Sequence, residues 1–114
     1  MTDSPIDVAE AISETVTRLF PEKFGKGPVH VETFVQGDVA TTLMRDVLTI
    51  AERAMISDGH QETVLTARML SQHATDQMFK AAVGEATGRR VLSVISGVDL
   101  AEEMASEVFV FAQA

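Results

Sequence analysis

Apolar and polar residues recur along this chain with two different periods, and the changes of period divide it into elements. Ala9, Ile12, Val16 and Leu19 fall at steps of three and four. They form one stripe of a helix, with Glu10, Glu14 and Arg18 on its other side. Ser4 reads as the cap, Pro5 as the first helical position and Asp7 as a charge near the positive end of the dipole. Pro21 weakens the helix at Phe20, although Glu22-Lys23-Phe24 can add a turn before Gly25. From Val29 to Gln36 the period drops to two, the mark of a strand. Gly37-Asp38 is a two-residue link suited to a tight hairpin, and the partner strand is expected over roughly Val39 to Val47.

At Thr49 the helical period returns. Thr49 and Glu52 form a T-x-x-E capping box, and Ile50, Ala51, Ala54 and Met55 continue a short helix that Ser57-Asp58-Gly59 ends. A long helix is predicted from about His60 to Thr87. Its stripe is Val64, Ala67, Leu70, Ala74, Met78 and Ala81, widened later by Phe79, Ala82, Val83 and Ala86. Gly88 is the natural stop, and Gly84 marks close backbone packing. "RRVLSVIS" reads as a third strand, Arg90 to Ser96. "GVDLAEEMAS" reads as a polar connection, and "EVFVFAQ" as the last strand. That strand is apolar on both sides, with Val108 and Val110 on one and Phe109 and Phe111 on the other. It is therefore expected at the centre of the sheet or at a subunit contact.

The order α-β-β-α-α-β-β predicts an α+β two-layer sandwich, a four-stranded sheet with helices on one face. The 114 residues make a single domain over 1–114. A sheet covered on one side leaves an open face, and a homodimer is the simplest way to cover it. Val108, Phe109, Val110 and Phe111 are the candidate interface residues.

Charge and composition remove function classes. The net charge of −8 argues against a nucleic-acid partner, whose protein carries a basic face. It also argues against docking on anionic lipid. With no Cys there is no disulfide framework and no thiolate chemistry. No run of apolar residues is long enough to span a bilayer, and the acidic N-terminus lacks the basic start of a signal peptide. A cytoplasmic protein is expected.

Candidate chemistry is sparse. Gly25-Lys26-Gly27-Pro28 places a lysine between glycines, as a phosphate cradle would. A P-loop, however, runs from strand to helix, and here the glycines leave a helix and enter a strand. The favoured reading is a helix end and a corner; the alternative is an anion site of Lys26 and Gly27, with Arg89 and Arg90 as a second cationic pair. His73 and Asp76 share one helix face, but two ligands do not make a metal site. His30, His60, and the acids Asp99, Glu102 and Glu103 read as solvated groups. No catalytic residues, no metal and no cofactor are predicted.

Several of these features, taken in order, resemble the MpsC-like family of small bacterial proteins. They are Gly25-Lys26-Gly27-Pro28, the Val47-Leu48-Thr49 turn with Glu52, the Thr87-Gly88 helix end, and the strand and loop from Val91 to Asp99. The similarity runs from about Ile6 to Phe111. It implies a non-enzymatic cytosolic accessory protein near membrane ion or inorganic-carbon transport systems, with a membrane-protein partner and no membrane insertion of its own.

Overall fold

A computed structural model describes residues 7–24, 27–28 and 30–113 of the chain. The elements are α1 (Val8–Phe24), β1 (His30–Gln36), β2 (Val39–Arg45), α2 (Ile50–Ser57), α3 (Gln61–Thr87), β3 (Val91–Asp99) and β4 (Met104–Phe111). The sheet order is β1-β2-β4-β3 with every neighbouring pair antiparallel. β2 and β3 therefore run parallel with β4 between them, and α2 and α3 form the crossover that joins them. The helices cover one face. This is the expected α+β two-layer sandwich.

Ser4 and Pro5 lie outside the described residues, and the cap is taken by Asp7, whose Oδ1 accepts from the Glu10 N–H at 3.1 Å. Ile12, Val16 and Phe20 of α1 are fully buried. They join Met44, Val47, Leu48, Phe79, Val83, Phe109 and Phe111 in one core. α1 continues through Pro21 to Phe24. Gly27 turns back against it so closely that a Cβ there would lie 2.9 Å from Pro21 Cγ, so a side chain would displace the corner.

The first hairpin turns on Gly37, whose φ of 61° is open to glycine at no steric cost. The second hairpin departs from the expected one. β3 runs on to Asp99 and β4 begins at Met104, so the polar connection shrinks to Leu100–Glu103. Val98 and Ala105 pair on the inner face and prolong the ladder. Gly97 permits the approach, since a Cβ there would sit 3.2 Å from Ser106 Oγ.

The larger correction concerns α3. Its buried residues are Val64, Arg68, Gln72, Phe79, Val83 and Thr87. Leu70, expected inside, is 67% exposed, and Ala67, Ala74 and Ala81 also face out. Residues two apart on a helix point some 200° away from each other. With Phe79 and Val83 in the core, the inward stripe reaches Gln72 and Arg68, and Leu70 and Ala74 must point away.

Arg68 is therefore held by polar partners. Its Nε and Nη2 donate to Glu52 Oε2 and Oε1 at 2.6 and 2.5 Å, and Nη2 also donates to the Val47 carbonyl at 2.7 Å. Glu52 closes the capping box with Thr49. Burial works to raise the Glu52 carboxyl, but the Arg68 guanidinium and the Thr49 contacts outweigh it and hold it below its usual range. Beside this knot Arg53 bridges Asp46 and Glu103, the two non-glycine residues with positive φ among the described residues. It ties the β2 exit to the β3–β4 turn. Removing one partner from a buried pair strands the other charge. Glu52→Ala is therefore expected to cost about 3 kcal/mol in urea unfolding, and the half-exposed Arg53→Ala clearly less. Equal losses would mean that Arg68 does not need its partner.

Candidate functional site

The two cationic features expected to cooperate lie apart. Lys26 and Gly25 fall outside the described residues. Gly27 packs on Pro21, beyond the His30 end of β1. Arg89 sits at the other end of that strand. Its Nη1 donates to the Gly37 carbonyl at 3.4 Å, and its guanidinium lies 4.4 Å from the Phe111 ring centre. Seven strand residues, roughly 20 Å, separate the two. Arg89 and Arg90 instead share an open depression with Lys80.

The candidate interface residues divide by face. Phe109 and Phe111 point into the helix layer and are already covered by this chain, so they are core residues and cannot meet a partner. Val108 and Val110 point to the open face, half-buried. The strand register draws a row across that face: Phe34, Thr41, Val108 and Ile95. Phe34 and Ile95, at its two ends, are 59% and 58% exposed. The next row is Gln36, Val39, Val110 and Ser93, apolar in the middle and polar at both ends. At the far end the face turns polar, with His30, Arg45, Met104 and Asp99 in line and Arg45 Nε 3.8 Å from Glu32 Oε1.

Among the described residues, His30, His73 and Asp99 stand apart. His30 and Asp99 stand on opposite edges of the sheet, three strand spacings or roughly 14 Å apart. His73 lies on the helix layer, its Nδ1 3.8 Å from Asp76 Oδ2. His60 meets Asp58 at 3.3 Å.

The inner face holds a feature that sequence reasoning missed. One transverse row of the sheet is polar throughout: Thr33, Thr42, Glu107 and Ser96. Ser13 of α1 hydrogen-bonds Thr33 at 2.7 Å, and Thr33 hydrogen-bonds Thr42 at 2.9 Å. At the other side Ser96 Oγ meets Glu107 Oε2 and, at 3.3 Å, Asp76 Oδ1. Gln72 Nε2 donates to the Gly97 carbonyl at 3.2 Å. Glu107 is 1% exposed, and its Oε1 has no hydrogen-bond partner. Glu107 shares its parity along β4 with Phe109 and Phe111, and that was the available signal.

The Ser96 hydroxyl has one proton and two carboxylates within reach. The hydroxyl serves one carboxylate at a time, and a proton on Glu107 removes one of the two negative charges that share it. The energetics agree. Burial pushes the Glu107 carboxyl up to about 7; Ser96 pulls it down, and the charge of Asp76 adds to the rise.

Below the usual glutamate range both folded and unfolded chains carry this proton. From there up to about pH 7 only the folded chain keeps it, so stability falls by up to about 1.4 kcal/mol per pH unit and then levels off. Denaturation of wild type and Glu107→Gln across this range should show the wild type losing about 2–3 kcal/mol relative to the variant. Parallel curves would remove the buried proton.

Among the described residues no helix is long and apolar enough to cross a membrane. No curated protein and no solved structure matches the chain. The family model of the Na+-translocating membrane potential-generating system (MpsC) matches residues 6–113, and the chain therefore belongs to the MpsC family.

Proposed function

We propose that this protein is a non-enzymatic accessory component of a bacterial membrane ion-transport system, working on the cytoplasmic side as a homodimer joined through its open sheet face. The observation that carries the reading is the row Phe34–Thr41–Val108–Ile95, apolar but for one threonine and uncovered at both ends. Contiguous apolar surface of this kind commonly meets a partner. The two histidines that meet a carboxylate, His60 with Asp58 and His73 with Asp76, are mostly exposed, which favours the non-enzymatic reading.

The size of the face bounds the strength of the dimer. Four strands about 4.8 Å apart and some seven residues long cover roughly 450 Å², or about 900 Å² for two faces. That is below the range of stable complexes, so association is weak and depends on concentration. Sedimentation velocity over a concentration series should show a monomer–dimer equilibrium. Phe34→Lys with Ile95→Lys should leave a folded monomer, because neither side chain is in the core. A wild-type monomer at every concentration would sink the proposal.

The Lys80, Arg89 and Arg90 depression supports a second reading, an anion sensor without Gly27. Phosphate or bicarbonate should then raise the melting temperature, and Arg90→Ala should abolish the rise. Unchanged melting with both anions excludes it.

A further inference from the structure

The end of α2, the start of α3 and the β3–β4 hairpin frame a cleft of about 570 Å³. Its walls include Ile56, Leu65, Val98 and Leu100, and its rim carries Glu62 and Asp99. Ile56 and Leu100 are half-buried and rest against the main core, so the floor is anchored by the fold. Among the described residues neither Glu62 nor Asp99 forms a salt bridge. The nearby arginines are engaged: Arg53 by Asp46 and Glu103, and Arg68 by Glu52 and the Val47 carbonyl. Asp58, at the corner between the two helices, is 82% exposed in its side chain and meets His60 at 3.3 Å. An apolar floor thus lies beside two carboxylates with no cationic side chain paired to them among the described residues, Glu62 in the first turn of α3 and Asp99, whose Oδ1 accepts from the Glu102 N–H at 3.2 Å, on a chain of net charge −8.

We infer that this cleft docks a short, basic, amphipathic segment of a protein partner. Apolar side chains on one face of the segment enter between Ile56, Leu65, Val98 and Leu100. Its lysines or arginines meet Glu62 and Asp99. Charge complementarity selects this occupant: an acidic segment or a nucleic-acid backbone is repelled by the rim, and a neutral chain leaves the carboxylates unused. The inference rests on the accessory role proposed above. The cytoplasmic segments next to membrane spans are rich in Lys and Arg, which is the chemistry this rim accepts.

The test uses the full chain and two synthetic helical peptides of one pattern, Leu/Lys and Leu/Glu. Binding is followed by calorimetry and by amide chemical shifts. The Leu/Lys peptide should bind and shift resonances of Ile56, Leu65 and Leu100, and binding should weaken as salt is raised. Leu65→Lys should weaken it roughly tenfold or more. Glu62→Gln with Asp99→Asn, which keeps the Asp99 turn acceptor, should weaken it several-fold even if Leu65→Lys fails to fold. Equal binding of the Leu/Glu peptide, indifference to the paired amide variant, shifts spread over other faces, or no binding would overturn the inference. Sedimentation of Glu62→Gln alone, a change on α3 and off the sheet face, should match wild type. A failed dimer and an empty cleft are then separate results.

Discussion

A straight helix has one rotation, and in α3 the core end chooses it. Phe79 and Val83 pack against the sheet, and a step of seven back from Phe79, then steps of four, arrive at Gln72, Arg68 and Val64. Two of those three are polar. The fold accepts them because α2 begins with Glu52 in a capping box, and that carboxylate is aimed at Arg68. One ion pair thus makes that rotation tolerable and ties α3 to the start of α2 and to the exit of β2. The rotation leaves Leu70, Ala74 and Ala81 on the outside. A buried arginine is tolerable only with its charge answered, and the answer here comes from a residue whose first duty is to start a helix.

The element order and nearly every boundary were legible because turn chemistry and period agree at each junction. Thr49 with Glu52, Gly37-Asp38 and Gly88 each mark a junction by a local mechanism. The rotation of α3 was not legible. Its long apolar stripe of small residues is a fair helical signal, and only contacts with other elements decide between that stripe and the one containing Arg68. The second hairpin was misread for a similar reason: Asp99, Glu102 and Glu103 look like a loop, while the pairing of Gly97 with Ser106 is non-local. Glu107 carried a usable clue, its parity with Phe109 and Phe111. Charge hid it, since an isolated glutamate in a strand is ordinarily placed outside. For the candidate sites, the division of β4 into an inner phenylalanine face and an outer valine face follows from alternation. Which faces the helices does not.

The two surfaces proposed for interaction differ in kind. The open sheet face is broad, flat and nearly uncharged at its centre, which suits a self-complementary contact. The cleft is narrow and acidic at its rim, which suits a foreign segment. They meet at Asp99, which stands at the polar end of the sheet face and on the rim of the cleft. Membership of the MpsC family links this chain by name to a Na+-translocating system, and no helix among its described residues is able to cross a membrane.

The polar row beneath the helices has one more consequence. Alternation of greasy and hydrophilic positions tells a strand which side is in, and it guards against a slip of one residue. A slip of two leaves the sides unchanged and passes that guard. Here each strand contributes a single hydroxyl or carboxyl to the same line: Thr33, Thr42, Glu107 and Ser96. Sliding any strand by two would set an aliphatic or aromatic neighbour against those oxygens and leave them dry. The line works as an index mark, aligning four strands that hydrophobicity alone would let drift.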